Sequence, residues 1–284
     1  MEPGDVEKIE IALLLEAVFR RYGHDFREYA VSTVERRIRD FLPRSGCASI
    51  SALIPKILRD DTFFRQFLQT FSVTVTEMFR DPGVYRALRE SVVPILRTYP
   101  SIRVWVAGCA TGEEAYSLAI LLEEEGLYER ATVFATDFNE EALAGAKEGI
   151  YPLDRIRLFT QNYQDSGGTQ PFSTYCHARY DAMAVSSSLK RNIIFANHNL
   201  ATDAVFGEMH LILCRNVLIY FDGALQDRVL NLFYESLVHR GYLCLGAAEI
   251  IRFSSVQDRF EVVDEKARIY RRRSAGEVAC PGRG

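Results

Sequence analysis

Hydrophobic positions in residues 1 to about 72 recur at helical spacing, and no stretch there alternates as a strand would. Ile9, Leu13, Leu14, Val18 and Phe19 form an apolar stripe, and Gly23 after the basic pair Arg20 and Arg21 is a stop signal. A second helix is predicted from Ser32, with Glu35 completing a capping box, as far as Pro43 and Gly46. Two amphipathic pieces follow, around 50–58 and 61–71. Residues 1–72 therefore predict a small all-helical domain. SVTVTEMFRDP (72–82) breaks that rhythm and turns at Asp81-Pro82, so 73–98 reads as an interdomain linker and a helix over 83–97.

Residues 99–273 change period. The pattern predicts strand 102–106, helix 113–125, strand 131–136 and helix 139–147, with Asn139 as cap and Gly149 as stop. Such alternation implies a parallel sheet covered by helices. Residues 150–190, with SGGTQPFS and several tyrosines, depart from it and read as an inserted loop or small antiparallel element. The alternation resumes with strands in 191–200 and 210–221. A helix over 223–239 turns Leu225, Val229, Leu232, Phe233 and Leu237 inward and is ended by Gly241; strand 242–246 follows. Two last strands, 259–263 and 267–272, are antiparallel neighbours. A mostly parallel sheet closed by an antiparallel hairpin is, by fold analogy, the Rossmann-like α/β layout of the class I S-adenosylmethionine-dependent methyltransferases. The tail, 274–284, is polar and Gly-rich and predicts disorder.

The chemistry concentrates at 103–137. A buried strand enters a turn bracketed by Gly108 and Gly112, a helix follows, and the next strand ends at Asp137. That unit places a small-molecule site at the carboxyl ends of the strands. An acid closing the second strand suits a ribose diol, which predicts a cofactor with an adenosine-like ribose. A nicotinamide dinucleotide is the first competitor. It needs G-x-G-x-x-G so that a helix N-terminus meets the pyrophosphate, whereas here the glycines are spaced G-x-x-x-G and Glu113 and Glu114 stand where that anion would bind.

Composition narrows the field. The chain has 284 residues, ordinary apolar (48%) and charged (25%) fractions and a formal net charge of −4, against a non-specific nucleic-acid binder. No apolar run is long enough to span a bilayer, and the first ten residues lack a signal-peptide pattern, so a cytoplasmic protein is expected. The six cysteines and five histidines are dispersed, which predicts core thiols and no metal site.

Five segments, in order, resemble signatures of the CheR-type protein-glutamate O-methyltransferases: VTVTEMFRD, GCATGEEAYSLA, FATDFNEEALAGAKEGIY, HNL and CRNVLIYFD. The resemblance covers roughly residues 10–272. It implies S-adenosyl-L-methionine as methyl donor and, as partners and substrates, glutamate side chains on the cytoplasmic domains of membrane chemoreceptors. By the same resemblance Thr74, Thr76, Arg80, Gly108, Glu113, Asp137, Asn199, Leu200, Arg215 and Asn216 line the cofactor, and Arg80 and Tyr220 stand at the transferring methyl. The family's usual asparagine is Thr74 here, and Met78 replaces a common aromatic. Arg36, Arg37 and Arg39 would present a basic helix to acidic receptor segments, and residues 150–190 correspond to the family's small β-subdomain, read here as peptide-independent.

A sulfonium donor and an ionised glutamate need no general base; the protein has only to align them and exclude water. Each residue also has an ordinary reading. Arg80 beside Asp81 would, without the resemblance, be a surface ion pair by about two to one. Tyr220 taken alone is a core aromatic. Glu113 and Glu114 suit any helix N-terminus, and Asn199 and Asn216 suit turns. Arg215 interrupts an apolar run and requires a partner. A catalytically silent receptor-binding module on the same fold is the second competitor, with Thr74 the feature pointing to it.

Overall fold

The computed structural model describes residues 3–72 and 76–274; Val73, Thr74, Val75 and everything beyond Ser274, including Cys280 and the expected disordered tail, lie outside the described residues. The chain forms two compact units. One comprises Met1–Val73, Asn199–Asp203 and Ile219–Val229, the other Thr74–His198, Ala204–Leu218 and Leu230–Gly284.

The first unit is helical: α1 (Pro3–Tyr22), α2 (Val31–Ser45), α3 (Leu53–Arg59) and α4 (Asp61–Phe71). In α1 the buried stripe is Ile11, Leu14, Leu15 and Val18, while Ile9 and Leu13 are about half exposed. The inward face thus keeps i, i+3, i+4, i+7 spacing but is rotated from the stripe expected. Helix α2 begins at Val31 behind Ala30, so Ser32 lies inside the first turn and the expected capping box does not form. Asp60 does cap α4, accepting from the amides of Thr62 (2.9 Å) and Phe63 (3.1 Å). Aromatic rings fill this core: Phe26 stacks on Phe71 at 4.4 Å, and Phe67 packs on Phe41 and Phe71.

The second unit opens with α5 (Pro82–Ala87) and α6 (Val93–Leu96), joined by a π-helical turn, Leu88–Val92. Pro94 cannot donate the amide an unbroken α-helix would use, which accounts for the irregular turn in the expected helix 83–97. There follow β1 (Ile102–Ala107), α7 (Glu113–Glu124), β2 (Ala131–Asp137), α8 (Glu140–Glu148), β3 (Ile150–Pro152), α9 (Ile156–Asp165), β4 (Cys176–Arg179), β5 (Ala182–Val185), β6 (Ile193–Asn197), β7 (Met209–Cys214), α10 (Gly223–Ser236), β8 (Leu237–Leu245), β9 (Phe260–Asp264) and β10 (Ile269–Arg272).

The main sheet runs β6-β2-β1-β7-β8-β10-β9. Its first five strands pair in parallel, and β10 pairs antiparallel with both β8 and β9. This is a doubly wound sheet that reverses direction at β1, with β10 placed between β8 and β9. Trp105 is wholly buried, donates to Thr136 Oγ1 at 2.8 Å and packs edge-on against His198, Phe206 and Phe233. Burying such side chains contributes roughly 1.5–3 kcal/mol each. Helix α10 ends at Ser236, short of residue 239, and Gly241 lies within β8, where a Cβ would come 3.1 Å from the Met209 carbonyl oxygen. That glycine marks close backbone approach, not a helix stop.

The departure at 150–190 is a three-stranded antiparallel sheet, β3-β5-β4, carrying α9. The helix within it went unrecognised in the sequence, although Phe159 and Tyr163, at i, i+4, are its buried face. Among the described residues no helix is long and apolar enough to cross a membrane. The five described cysteines are free thiols, and burial pushes those of Cys176 and Cys244 up to about 12.

Candidate active site

The turn after β1 hangs from the end of β2. Gly108 and Cys109 both donate to the Thr136 carbonyl (2.8 and 2.9 Å), and Ala110 donates to Asp137 Oδ2 at 2.9 Å. Gly108 and Gly112 take positive φ of 75° and 92°, which other side chains tolerate poorly. The space a Cβ would need at Gly108 is already filled by Val217, 2.5 Å away, and at Gly112 by Ala146. These glycines therefore admit neighbouring protein, where the sequence suggested room for a ligand.

Two carboxylates at this turn make no ion pair among the described residues. Asp137 is buried and accepts from backbone amides, among them those of Ala110 and Asn139, each at 2.9 Å. Glu113, the first residue of α7, is buried and accepts from Thr111 Oγ1 at 2.6 Å. Burial raises both carboxyls; hydrogen bonds from the amides of Asn139, Ala110 and Phe138 oppose that for Asp137, and for Glu113 the Thr111 hydroxyl, its own amide and the charge of Arg155 do so. Glu114 differs. It faces Arg215, whose guanidinium pairs with Glu114 Oε1 and Asp81 Oδ2, each at 2.7 Å, and donates to the Arg80 carbonyl at 3.0 Å. Of these two acids on α7, Glu114 is ion-paired, while Glu113 feels the charge of Arg155 but makes no ion pair among the described residues. Arg215 is buried, so its required partner exists.

The segment bearing Arg80 is fixed through its backbone by four contacts. Arg155 donates to the Thr76 carbonyl (3.1 Å), Asn162 to that of Met78 (3.1 Å), and Arg215 to that of Arg80; the Phe79 amide donates to Ser117 Oγ at 2.8 Å. Phe79 is buried against Tyr85 and Tyr163. Phe79 and Asp81 both adopt positive φ (54° and 55°), strain of order 1–3 kcal/mol each that this framework sustains. Met78 is fully buried. The Arg80 side chain is half-buried and has no hydrogen bond or ion pair among the described residues. The surface pair with Asp81 does not form, because Asp81 faces Arg215.

A buried carboxylate joins this site from the loop after β8. Glu249 accepts from the amides of Gly246 (2.6 Å), Asn216 (3.0 Å) and Val217 (2.8 Å). Sequence reasoning missed it, along with Ser117, Arg155 and Asn162. Its signal was an acid inside the run LCLGAAEII, the pattern that made Arg215 conspicuous.

The remaining candidates belong to the helical unit. Asn199 Oδ1 accepts from the Ala201 amide (3.0 Å), and its own amide donates to Asp203; Leu200 is buried. The Tyr220 carbonyl accepts from the Ala30 amide at 3.0 Å, and its half-buried ring leaves the hydroxyl without a partner among the described residues. On α2, Arg39 pairs with Glu7 (2.7 Å) and Glu35 (3.3 Å), while Arg36 is exposed and unpaired among the described residues. Thr74 lies outside the described residues.

A donor set of anionic oxygens and backbone groups fits a cofactor that is cationic and hydroxyl-bearing, and repels a pyrophosphate. Sheet order and site chemistry define the class: a methyltransferase that uses S-adenosylmethionine. Residues 74–269 match the family model described as CheR methyltransferase, SAM binding domain, and residues 9–72 that described as CheR methyltransferase, all-alpha domain. The chain belongs to the CheR methyltransferase family. It is 50% identical over 264 residues to "Putative methyltransferase Cher3" of Pseudomonas putida, covering 93% of this chain and 97% of that protein. It is 28% identical over 249 residues to "Chemotaxis protein methyltransferase" of Listeria monocytogenes, covering 87% and 92%. Among solved structures, the N-methyltransferase NodS of Bradyrhizobium japonicum, in complex with S-adenosyl-L-homocysteine, has a TM-score of 0.34 at 14% identity, covering 68% of this chain and 69% of its own.

Proposed function

We propose that the protein transfers the methyl group of S-adenosylmethionine to glutamate side chains of chemoreceptor cytoplasmic domains, forming methyl esters, and that it acts in the cytoplasm. The observation that carries this reading is Arg80: a cation whose side chain has no partner among the described residues, on a backbone held at four points. Such a group is prepared for an incoming carboxylate, which it would bind by charge-assisted hydrogen bonds.

The cofactor, when bound, supplies a methyl on a sulfonium. Glu113 and Asp137 provide negative charge for a cationic and hydroxyl-bearing ligand. By the family resemblance Thr76, Asn199, Leu200 and Asn216 are assigned to cofactor binding, as is Thr74, which lies outside the described residues. Arg80 orients the substrate carboxylate, with the Tyr220 hydroxyl as a second donor. With the cofactor held by Glu113 and Asp137, the carboxylate oxygen would take the methyl carbon as the carbon–sulfur bond broke and the sulfur left as a neutral thioether. No proton moves, so the site requires no base. Residues 1–72 form the receptor-recognition domain in this reading, with Arg36 and Arg37 the cations it offers. Residues 73–98 are the linker and 99–273 the catalytic domain. Incubation with methyl-labelled S-adenosylmethionine and chemoreceptor-bearing membranes tests it: label released as methanol by alkali is expected, and alkali-stable label or none would refute it.

A further inference from the structure

Glu249 lies outside every segment so far given a part in the reaction, yet it is buried and its two oxygens are spent on backbone amides from two separate loops. Oε2 receives Gly246 and Asn216, and Oε1 receives Val217. Burying a carboxylate is costly unless its lone pairs are satisfied, so this arrangement holds the loop after β7 against the loop after β8. What it holds is specific. Asn216 sits at a φ of 61°, a conformation the free chain would leave. Val217 is pressed onto Gly108, the first residue of the turn that Asp137 organises. Arg215, next in the chain, anchors the Arg80 carbonyl.

We infer that Glu249 is a positioning residue: its carboxylate fixes Asn216 and Val217 so that Val217 closes the turn at Gly108 into the shape that binds S-adenosylmethionine. This rests on assigning the turn to the cofactor, and it adds the part that keeps the turn in shape. A side chain that only stabilised the fold would be free to vary without altering affinity in the folded protein.

Glu249→Gln is the informative change. It preserves size but leaves one acceptor oxygen, and its amide would face a backbone N–H donor to donor. The amide that loses its acceptor is expected to exchange hydrogen at least tenfold faster in the ligand-free protein, and the dissociation constant of S-adenosylhomocysteine, by calorimetry, to rise about tenfold. Both are measured well below the unfolding midpoint, where a purely structural residue would leave affinity unchanged. If the variant does not fold, Val217→Ala keeps the carboxylate's bonds and removes only the contact with Gly108; its dissociation constant is expected to rise several-fold. An affinity within twofold of wild type, in folded Glu249→Gln or otherwise in Val217→Ala, would overturn the inference alone. A wild-type protein that fails to bind S-adenosylhomocysteine would overturn it together with the cofactor site.

Discussion

Around Glu113 and Asp137 the protein buries two carboxylates that make no ion pair among the described residues; a short way along the same sheet edge, around Arg215, it buries a cation between Glu114 and Asp81. Both regions are hydrogen-bonded, yet they differ in what remains to be satisfied. The Arg215 cluster is closed: its guanidinium is ion-paired on two sides and holds the chain at the Arg80 carbonyl. The carboxylates at the glycine turn are open: burial raises them, and hydrogen bonds, with the charge of Arg155 at Glu113, oppose it without an ion pair among the described residues. Matched charge gives geometry, and unmatched charge is left for a ligand. Adjacent glutamates on α7 fall on opposite sides of this divide because successive helical residues point about 100° apart.

Arg215→Ala tests the closed region and should have the largest effect. Leaving Glu114 buried without its partner is expected to cost about 3–5 kcal/mol of stability, read by urea unfolding. A variant that unfolds like wild type but no longer binds cofactor would make Arg215 a ligand group and erase the contrast. Arg80→Ala probes the group the closed region holds in place. Because its side chain has no partner among the described residues, stability should change by no more than about 0.5 kcal/mol, while methyl transfer drops roughly 10²-fold or more. Near-normal receptor methylation would refute the assigned role.

The open region responds to pH. A carboxyl raised in the folded state binds protons that the unfolded state has released, so its contribution to stability is present below the ordinary carboxylate pKa and is lost as pH rises through the raised value. The stability difference between Glu113→Gln and wild type should therefore widen in the variant's favour as pH climbs from about 4. S-adenosylhomocysteine should be bound about tenfold more weakly by the variant. A pH-independent difference in melting temperature would show that Glu113 is compensated after all. The smallest effect is expected on the helical unit. Arg39 is already paired, so reversing Arg36 and Arg37 to Glu should raise the receptor KM by a few-fold and flatten its salt dependence. An unchanged KM across ionic strength would count against that face.

The fold class was legible because alternating strands and helices leave strong periodic signals. What escaped were features set by distant partners. Nothing near residues 76–80 announces that Ser117, Arg155, Asn162 and Arg215 will hold that backbone. Helix α9 was obscured by tyrosines and glycines around it. At the site, Arg215 declared its need for counter-charge, since a guanidinium in an apolar run has no other explanation; Glu249 sent the same signal and was passed over. The glutamate pair read as one acidic mouth, and only the path of α7 separates the two roles.

The small inserted sheet carries a consequence of its own. Arg155, just before α9, and Asn162, within it, grip the carbonyls of Thr76 and Met78. This appendage is therefore no detachable adaptor. Grafting a relative's version in its place would tug on the strained peptide that carries Arg80, so exchanging the module to retarget the protein would alter turnover along with target choice.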